Sequence, residues 1–124
     1  GLIVLADGMG GHRGGEVASS MSVDAVLDRL QQQLPKLKPG RTDPETGFSL
    51  ESLCIQEAIE SANDQVFQAA YRNPDHFGMG TTIVVLLYYN NTFSLDFEAS
   101  TRKLNIVFQA QTRQGGLNFN LAEA

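Results

Sequence analysis

The stretch LIVLADGMGGHRGGEVAS, residues 2–19, joins a run of apolar residues to an amphipathic segment through a glycine-rich loop. Residues 2–6 predict a short strand buried on both faces, because a continuous apolar run ended by glycines is typical of such strands. Asp7 follows directly, and a carboxylate at the end of a buried strand is costly unless a positive group meets it. Five glycines lie between positions 8 and 15, more than a turn requires, so we expect the backbone to approach something closely there.

Two helices are predicted after this loop. Residues 16–34 carry apolar side chains at helical spacing, and Pro35 ends the pattern. Residues 36–48 are rich in proline and glycine and predict a loop. Ser49 is the expected N-cap of a second helix that ends near Asn73. Two amphipathic helices joined by a loop indicate an antiparallel pair on one side of a sheet.

The C-terminal third of the chain predicts strands. Residues 81–89 are rich in β-branched and aromatic side chains, which favours a strand. Asn90 and Asn91 predict a two-residue hairpin turn, after which residues 92–97 return beside the strand at residues 81–89. A further strand is expected at residues 104–108, and residues 111–116 are expected to form a loop.

Composition limits the function classes. The 124 residues are the size of one domain, and 42% hydrophobic with 19% charged residues is ordinary globular material. A net charge of −5 argues against nucleic acid and against anionic membrane surfaces as partners. No basic leader or membrane-spanning run is visible, so a cytoplasmic location is expected. The single cysteine, Cys54, is expected to be a small buried hydrophobe, and a zinc site with His12 and His76 is not expected.

Three interpretations of the glycine loop compete. A nucleotide-binding turn has the right strand, loop and helix, but Arg13 stands where G-x-G-x-x-G requires its last glycine. In such a turn the negative Asp7 carboxylate would also point at the negatively charged pyrophosphate and repel it. A simple Asp-Gly turn explains one or two of the glycines but not five. A hard divalent cation such as Mg²⁺ or Mn²⁺ would accept the Asp7 carboxylate and the Gly8 carbonyl, with further acids coming from elsewhere.

Two motifs resemble those of a known family. Asp7-Gly8-Met9-Gly10-Gly11-His12, followed by GEVAS at residues 15–19, resembles the metal-dependent (PPM, or type 2C) protein phosphatases, especially their bacterial serine/threonine branch. GMGTT at residues 78–82 is similar to a second motif of that family, at the start of a strand after a helix pair. The resemblance covers roughly residues 2–95.

The resemblance implies both a fold and a chemistry. The expected fold is a partial α-β-β-α sandwich of the α/β class, with an antiparallel sheet and a helix pair. Asp7 would bridge two Mn²⁺ or Mg²⁺ ions, and the Gly8 carbonyl would bind one of them. A water between the ions would attack the phosphorus of phosphoserine or phosphothreonine on a phosphoprotein substrate. The residues expected to support the motifs are Gly10, Gly11, His12, Glu16, Gly80, Thr81 and Thr82.

The resemblance ends near Leu95. The Gly-Asp-Ser-Arg strand expected next is replaced by DFEASTRK, and neither Asp96 nor Glu98 has the glycine that should precede it. We therefore expect residues 1–95 to form a partial phosphatase-like domain and residues 96–124 a divergent tail of strand and loop. A catalytically silent phosphatase-like binding module is the alternative function. Exposed sheet edges at residues 2–6 and 81–89 predict self-association.

Overall fold

The chain forms a layer of two helices on a four-stranded sheet. A computed structural model describes residues 2–9, 12–38, 40–90, 102–113 and 116–123. The prediction of a mixed α/β domain with an antiparallel sheet and a helix pair is confirmed. In chain order the elements are β1 (Leu2–Met9), α1 (His12–Gln33), α2 (Leu50–Arg72), β2 (Gly80–Asn90), β3 (Arg102–Arg113) and β4 (Gly116–Glu123).

The four strands pair in the order β1-β2-β3-β4, and each pair is antiparallel. The strand expected at residues 104–108 is confirmed within β3. The loop expected at residues 111–116 is wrong, because residues 111–113 continue β3 and Gly116 begins β4. Asn90 pairs with Arg102 as the last residue of β2, so it does not open a two-residue turn. The returning strand expected at residues 92–97 lies outside the described residues.

The position of each strand in the sheet corrects one of the two predicted edges. β2 lies between β1 and β3, so residues 81–89 are not an edge. β1 is an outer strand of the described sheet, and self-association through it stays a prediction. The domain division at residue 95 also stays a prediction, although β3 and β4 continue the sheet that β1 and β2 begin.

The helices cover one face of the sheet. On β2, Ile83, Val85 and Leu87 are buried, while Val84 and Leu86 between them are half-buried. On β1, Ile3 is 39% exposed and Leu5 is 58% exposed. The expectation that residues 2–6 are buried on both faces is therefore wrong for this chain, because helices pack on one face alone among the described residues. The alternation along β1 and along residues 83–87 of β2 follows from the two-residue period of side chains in a sheet.

Both helices form for the reasons that the sequence indicates. The Ser49 side chain accepts a hydrogen bond from the Ser52 backbone N–H at 3.1 Å, which confirms Ser49 as the N-cap of α2. α1 begins at His12, four residues before the predicted start, so the last two glycines of the loop lie in its first turn.

In the described part of the chain, no helix combines the length and the apolar character that crossing a membrane requires.

The core lies between the helix pair and the sheet. Every fourth residue of α1 from Ala18 to Leu30 is fully buried, and α2 contributes Ile55, Ala58, Ile59, Ala62 and Val66. Most of the apolar ones pack with the buried side chains of β2. Ala18 and Val66 form a second cluster with Ala70 and Met79. Cys54 is half-buried against this core, and burial raises the pKa of its thiol. The thiol therefore stays protonated near neutral pH, as its interpretation as a small hydrophobe requires.

Candidate functional site

The two motifs that carry the resemblance meet in the sheet. β1 pairs with β2 so that Asp7 lies opposite Thr82, Gly8 opposite Thr81 and Met9 opposite Gly80. The residues are more than 70 positions apart in sequence, and antiparallel pairing aligns one motif directly against the other. The end of β1 and the start of β2 therefore form a single structural unit.

The Thr82 side chain fastens Asp7 to this unit. The Asp7 backbone N–H donates to Thr82 Oγ1 at 3.2 Å, and the Thr82 hydroxyl donates to the Asp7 carbonyl oxygen at 3.4 Å. Thr82 is exposed, whereas its neighbour Thr81 is fully buried and donates its hydroxyl to the Thr82 carbonyl oxygen at 2.8 Å. One threonine thus holds the backbone that carries the carboxylate, and the other faces the core.

Glycine allows the end of β1 to lie against the first turn of α1. A Cβ added to Gly8 would overlap the carbonyl oxygen of Gly15 and lie 2.7 Å from the Gly15 Cα. In the reverse direction, a Cβ on Gly15 would lie 3.0 Å from the Gly8 carbonyl carbon and 3.1 Å from the Met9 nitrogen. Two backbone segments are therefore in contact where side chains would separate them. This contact is the close approach that the glycine count predicts.

The second motif contributes to the same junction. Met79 is fully buried, and its Cβ would lie 3.2 Å from a Cβ added to Gly14. Gly78 has a φ of 79°, which lets the chain turn from the 3-10 turn Pro74–His76 into β2. Gly80 is buried at the first position of β2. The glycines of the two motifs thus allow packing of the helix and entry into the strand.

An open depression lies at the end of β1 beside this junction. It is lined by Ala6, Asp7, Gly8, Met9, Gly15, Glu16 and Ser19. Asp7 and Glu16 place two exposed carboxylates there, and among the described residues neither side chain has a hydrogen-bond or ion-pair partner. The burial cost expected for Asp7 does not arise, because Asp7 is at an outer strand on the uncovered face.

The remaining predicted residues are placed as follows. Gly10 and Gly11 lie outside the described residues, and His12 is the first residue of α1. Ser19, which is not among the predicted site residues, also lines the depression, and its hydroxyl donates to the Glu16 carbonyl oxygen at 3.1 Å. The signal was its position, one helical turn after Gly15, which places both residues on the same face of α1.

The antiparallel pairing bears on the nucleotide-binding interpretation. A dinucleotide fold places the glycine loop between two parallel strands joined by one helix. Here two helices separate β1 from β2, and the two strands are antiparallel. The glycine loop therefore lacks the βαβ setting in which a pyrophosphate binds at a helix N-terminus.

The donor chemistry suits a hard divalent cation, but the described donors are few. Exposed carboxylate oxygens are the ligands that Mg²⁺ and Mn²⁺ prefer, and Asp7 and Glu16 supply them at one depression. Within residues 2–9, 12–38, 40–90, 102–113 and 116–123, no group of three or more His, Cys, Asp or Glu side chains could hold a metal ion. The described residues thus fit one part of a metal site, and a two-ion site needs additional ligands.

Comparison with known proteins identifies relatives. A serine/threonine phosphatase, stp, of Listeria innocua is 34% identical over 86 residues, which are 69% of this chain and 31% of the relative. The serine/threonine protein phosphatase PstP of Mycobacterium tuberculosis is 35% identical over 94 residues, 76% of this chain and 16% of the relative. A Streptococcus pyogenes protein whose name includes "protein phosphatase 2C-type" is 35% identical over 85 residues, 66% of this chain and 29% of the relative.

The chain belongs to the type 2C family of serine/threonine phosphatases. The resemblance inferred from the two motifs is thereby confirmed. No protein-family model matches the chain. The chain spans about a third or less of the length of these curated phosphatases. The similarity therefore covers one part of a type 2C phosphatase, the part in which the end of β1 pairs with the start of β2.

Proposed function

We propose that this chain supplies one corner of the active site of a metal-dependent phosphatase that hydrolyses phosphoserine and phosphothreonine on proteins. The observation that carries the proposal is the pairing of Asp7 with Thr82, which joins the two phosphatase-like motifs. The names of the relatives support the reaction class. A phosphoprotein is the corresponding substrate.

Asp7 and Gly8 are the proposed metal ligands. Asp7 would contribute its exposed carboxylate and Gly8 its carbonyl oxygen, with Glu16 at the rim of the same depression. Two Mn²⁺ or Mg²⁺ ions, when bound, would lower the pKa of a water and offset negative charge on the phosphoryl group. The chain's own part is to hold these oxygens in place.

Thr82 and the glycine junction are the proposed positioning elements. Thr82 bonds both the N–H and the carbonyl of Asp7, so it restricts the backbone from which the carboxylate projects. The contact of Gly8 with Gly15 holds the end of β1 against α1 and keeps Glu16 beside Asp7. A shift of about 1 Å at such a site can lower the rate about 100-fold.

The first test measures metal binding and hydrolysis on the same samples. We expect the chain to bind Mn²⁺ in calorimetry, and Asp7→Asn to remove that binding. Any Mn²⁺-dependent hydrolysis of p-nitrophenyl phosphate should fall by about 10³-fold in Asp7→Asn. Asp64→Asn is the matched control, since Asp64 is an exposed carboxylate on α2 away from the depression.

Each outcome decides between the enzyme and the silent binding module. Mn²⁺ binding that depends on Asp7 but not on Asp64 supports the metal site. A folded chain that binds no Mn²⁺ and hydrolyses no aryl phosphate would leave the binding module as the better interpretation. Equal losses in Asp7→Asn and Asp64→Asn would mean that general negative charge, and no particular site, attracts the ion.

A further inference from the structure

The exposed surface between α1 and α2 carries a long groove. It consists of two adjoining depressions that share Met21 and Gln65 in their walls. The first follows α1 from Glu16 to Asp28, and the second follows α2 from Ser61 to Arg72. The polar residues of α1 that line the groove are offset by two positions from the buried row, and Val17, Met21 and Ala25 lie between these two rows.

The walls of the groove are acidic. Glu16, Asp24 and Asp28 follow one another at spacings of eight and four residues and so share one face of α1, and Asp64 of α2 lines the second depression. All four side chains are exposed, and none has an ion-pair partner among the described residues. Arg72 is the cation among the residues that line the groove.

The nearby cation Arg29 does not neutralise this row. Its guanidinium forms an ion pair with Glu57 of α2, so its charge is already balanced. Asp24 and Asp28 are like charges at a spacing of four on one helix, an arrangement that destabilises the helix until a cation lies between them. A positively charged ligand would therefore relieve repulsion as well as add attraction.

The floor of the groove is apolar. Val17, Met21, Ala25 and Ala69 line it and are half-buried. Methionine is flexible and polarisable, and it adapts to different apolar partners. An apolar floor between acidic walls matches a ligand with both apolar and cationic side chains. A hydrated cation alone would not use the floor.

The groove is continuous with the phosphatase-like depression. Glu16 lines both, on the side of α1 that leads from Asp7 into the groove. The face from Glu16 to Asp28 spans twelve residues, which is about 18 Å along a helix axis. That length accommodates roughly three turns of a helix or five to six extended residues.

We propose that this groove binds a basic amphipathic segment of a partner polypeptide, with Lys or Arg on the acidic walls and apolar side chains on the Met21 floor. Charge complementarity and the continuity through Glu16 both favour this occupant. The same carboxylates would repel nucleic acid and anionic lipid. Binding in the groove does not depend on metal ions at Asp7.

The test uses two labelled peptides and the whole chain. The basic probe is a fourteen-residue peptide with Lys and Leu in a helical pattern, and the second probe has Glu in place of every Lys. Fluorescence anisotropy should show binding of the basic probe, weakening with salt. Asp24→Asn with Asp28→Asn should raise its Kd by about 5-fold or more. Asp64→Asn should raise the Kd by a smaller factor.

The matched control removes the same charge elsewhere. Glu45→Gln with Glu60→Gln changes two exposed carboxylates outside the groove and should leave the Kd within about twofold of the parent chain. Asp7→Asn should also leave it unchanged, so the groove and the phosphatase proposal can fail separately. Equal weakening by both double variants, or equal binding of both probes, would overturn the proposal.

A second copy of the chain is the competing occupant. Sedimentation velocity of the unliganded chain distinguishes it. If the parent chain is a dimer and the Asp24, Asp28 double variant is a monomer, the groove belongs to a self-contact and the partner-segment proposal is wrong. If both have the same mass while only the parent binds the basic probe, the proposal stands.

Discussion

Two sets of glycines serve opposite purposes in this chain. Gly8, Gly14 and Gly15 have ordinary backbone angles, but each lies where a Cβ would meet a neighbouring segment. Gly40, Gly47 and Gly78 have φ values of 76° to 79°, and nothing lies within 4 Å of where their Cβ atoms would be. The first set provides space between elements. The second set provides a backbone conformation that L side chains rarely adopt.

The two sets of glycines lie in different parts of the molecule, one at the candidate site and the other in turns. The packing glycines concentrate where β1 meets α1, next to Asp7, whereas two of the turn glycines lie in the loop before α2. A substitution at Gly8 or Gly15 should shift the carboxylate as well as lower stability. A substitution in the second set should lower stability and leave the end of β1 unchanged.

The largest effect is expected for Gly8→Ala. The added methyl would overlap the Gly15 carbonyl oxygen, and backbone on both sides must move to release it. We expect the free energy of unfolding to fall by about 3 kcal/mol or more, measured by urea denaturation followed by circular dichroism. Gly40→Ala is the control, since it adds the same methyl in open space at a φ of 79°. Equal losses in the two variants would contradict the packing role of Gly8.

The next effect separates the two glycines in the first turn of α1. Gly15→Ala places a Cβ 3.0 to 3.3 Å from backbone atoms of Gly8 and Met9, and we expect a loss of about 1 kcal/mol. Gly14→Ala meets the Met79 Cβ at 3.2 Å, and the better helix propensity of alanine offsets this contact, so the change should be within about 0.5 kcal/mol. Paired denaturation curves measure both. A larger loss for Gly14→Ala would show that Met79 cannot shift.

Much of the fold was predictable because its signals are local. The Ser49 cap and the apolar face of α2 depend on spacing within one helix, and both are confirmed. The predicted burial of residues 2–6 on both faces is wrong because an apolar run does not reveal how many layers cover it. The loop expected at residues 111–116 is wrong because pairing with neighbouring strands supports a polar segment that propensity alone leaves irregular.

The sequence singles out residues of the candidate site but does not reveal the contacts between them. Asp7 and Thr82 were both singled out, yet their hydrogen bonds depend on the register of two strands far apart in sequence. The contact of Gly8 with Gly15 needed the angle between a strand and a helix, which no residue pattern encodes. Ser19 was quoted within the motif but given no role, because its place at the depression follows from its helical position after Gly15 and not from its residue type.

A smaller effect is expected at the turn glycine of the second motif. Gly78→Ala adds no contact, but it places alanine at a φ of 79°, which should cost about 1 kcal/mol. Gly78→Asn should lose less, because asparagine tolerates this conformation. Denaturation curves measure the two losses, and Mn²⁺ titration measures the site. If Gly78→Ala changed metal binding more than Gly8→Ala, the separation of turn glycines from site glycines would fail.

The smallest effect concerns the turn that contains Gly47. Hydrogen bonds from the Thr46 hydroxyl at 2.8 Å and the Thr46 backbone N–H at 3.0 Å hold the pKa of Asp43 below its usual value. Because the folded pKa is lowered, the turn gains stability above the unfolded pKa and loses it as pH falls through the folded one. The Thr46 amide resonance should report this transition in an NMR titration, with a midpoint below that of an ordinary Asp carboxyl. Thr46→Ala removes the hydroxyl and should move the Asp43 midpoint upward; an unchanged midpoint would assign the lowered pKa to another group.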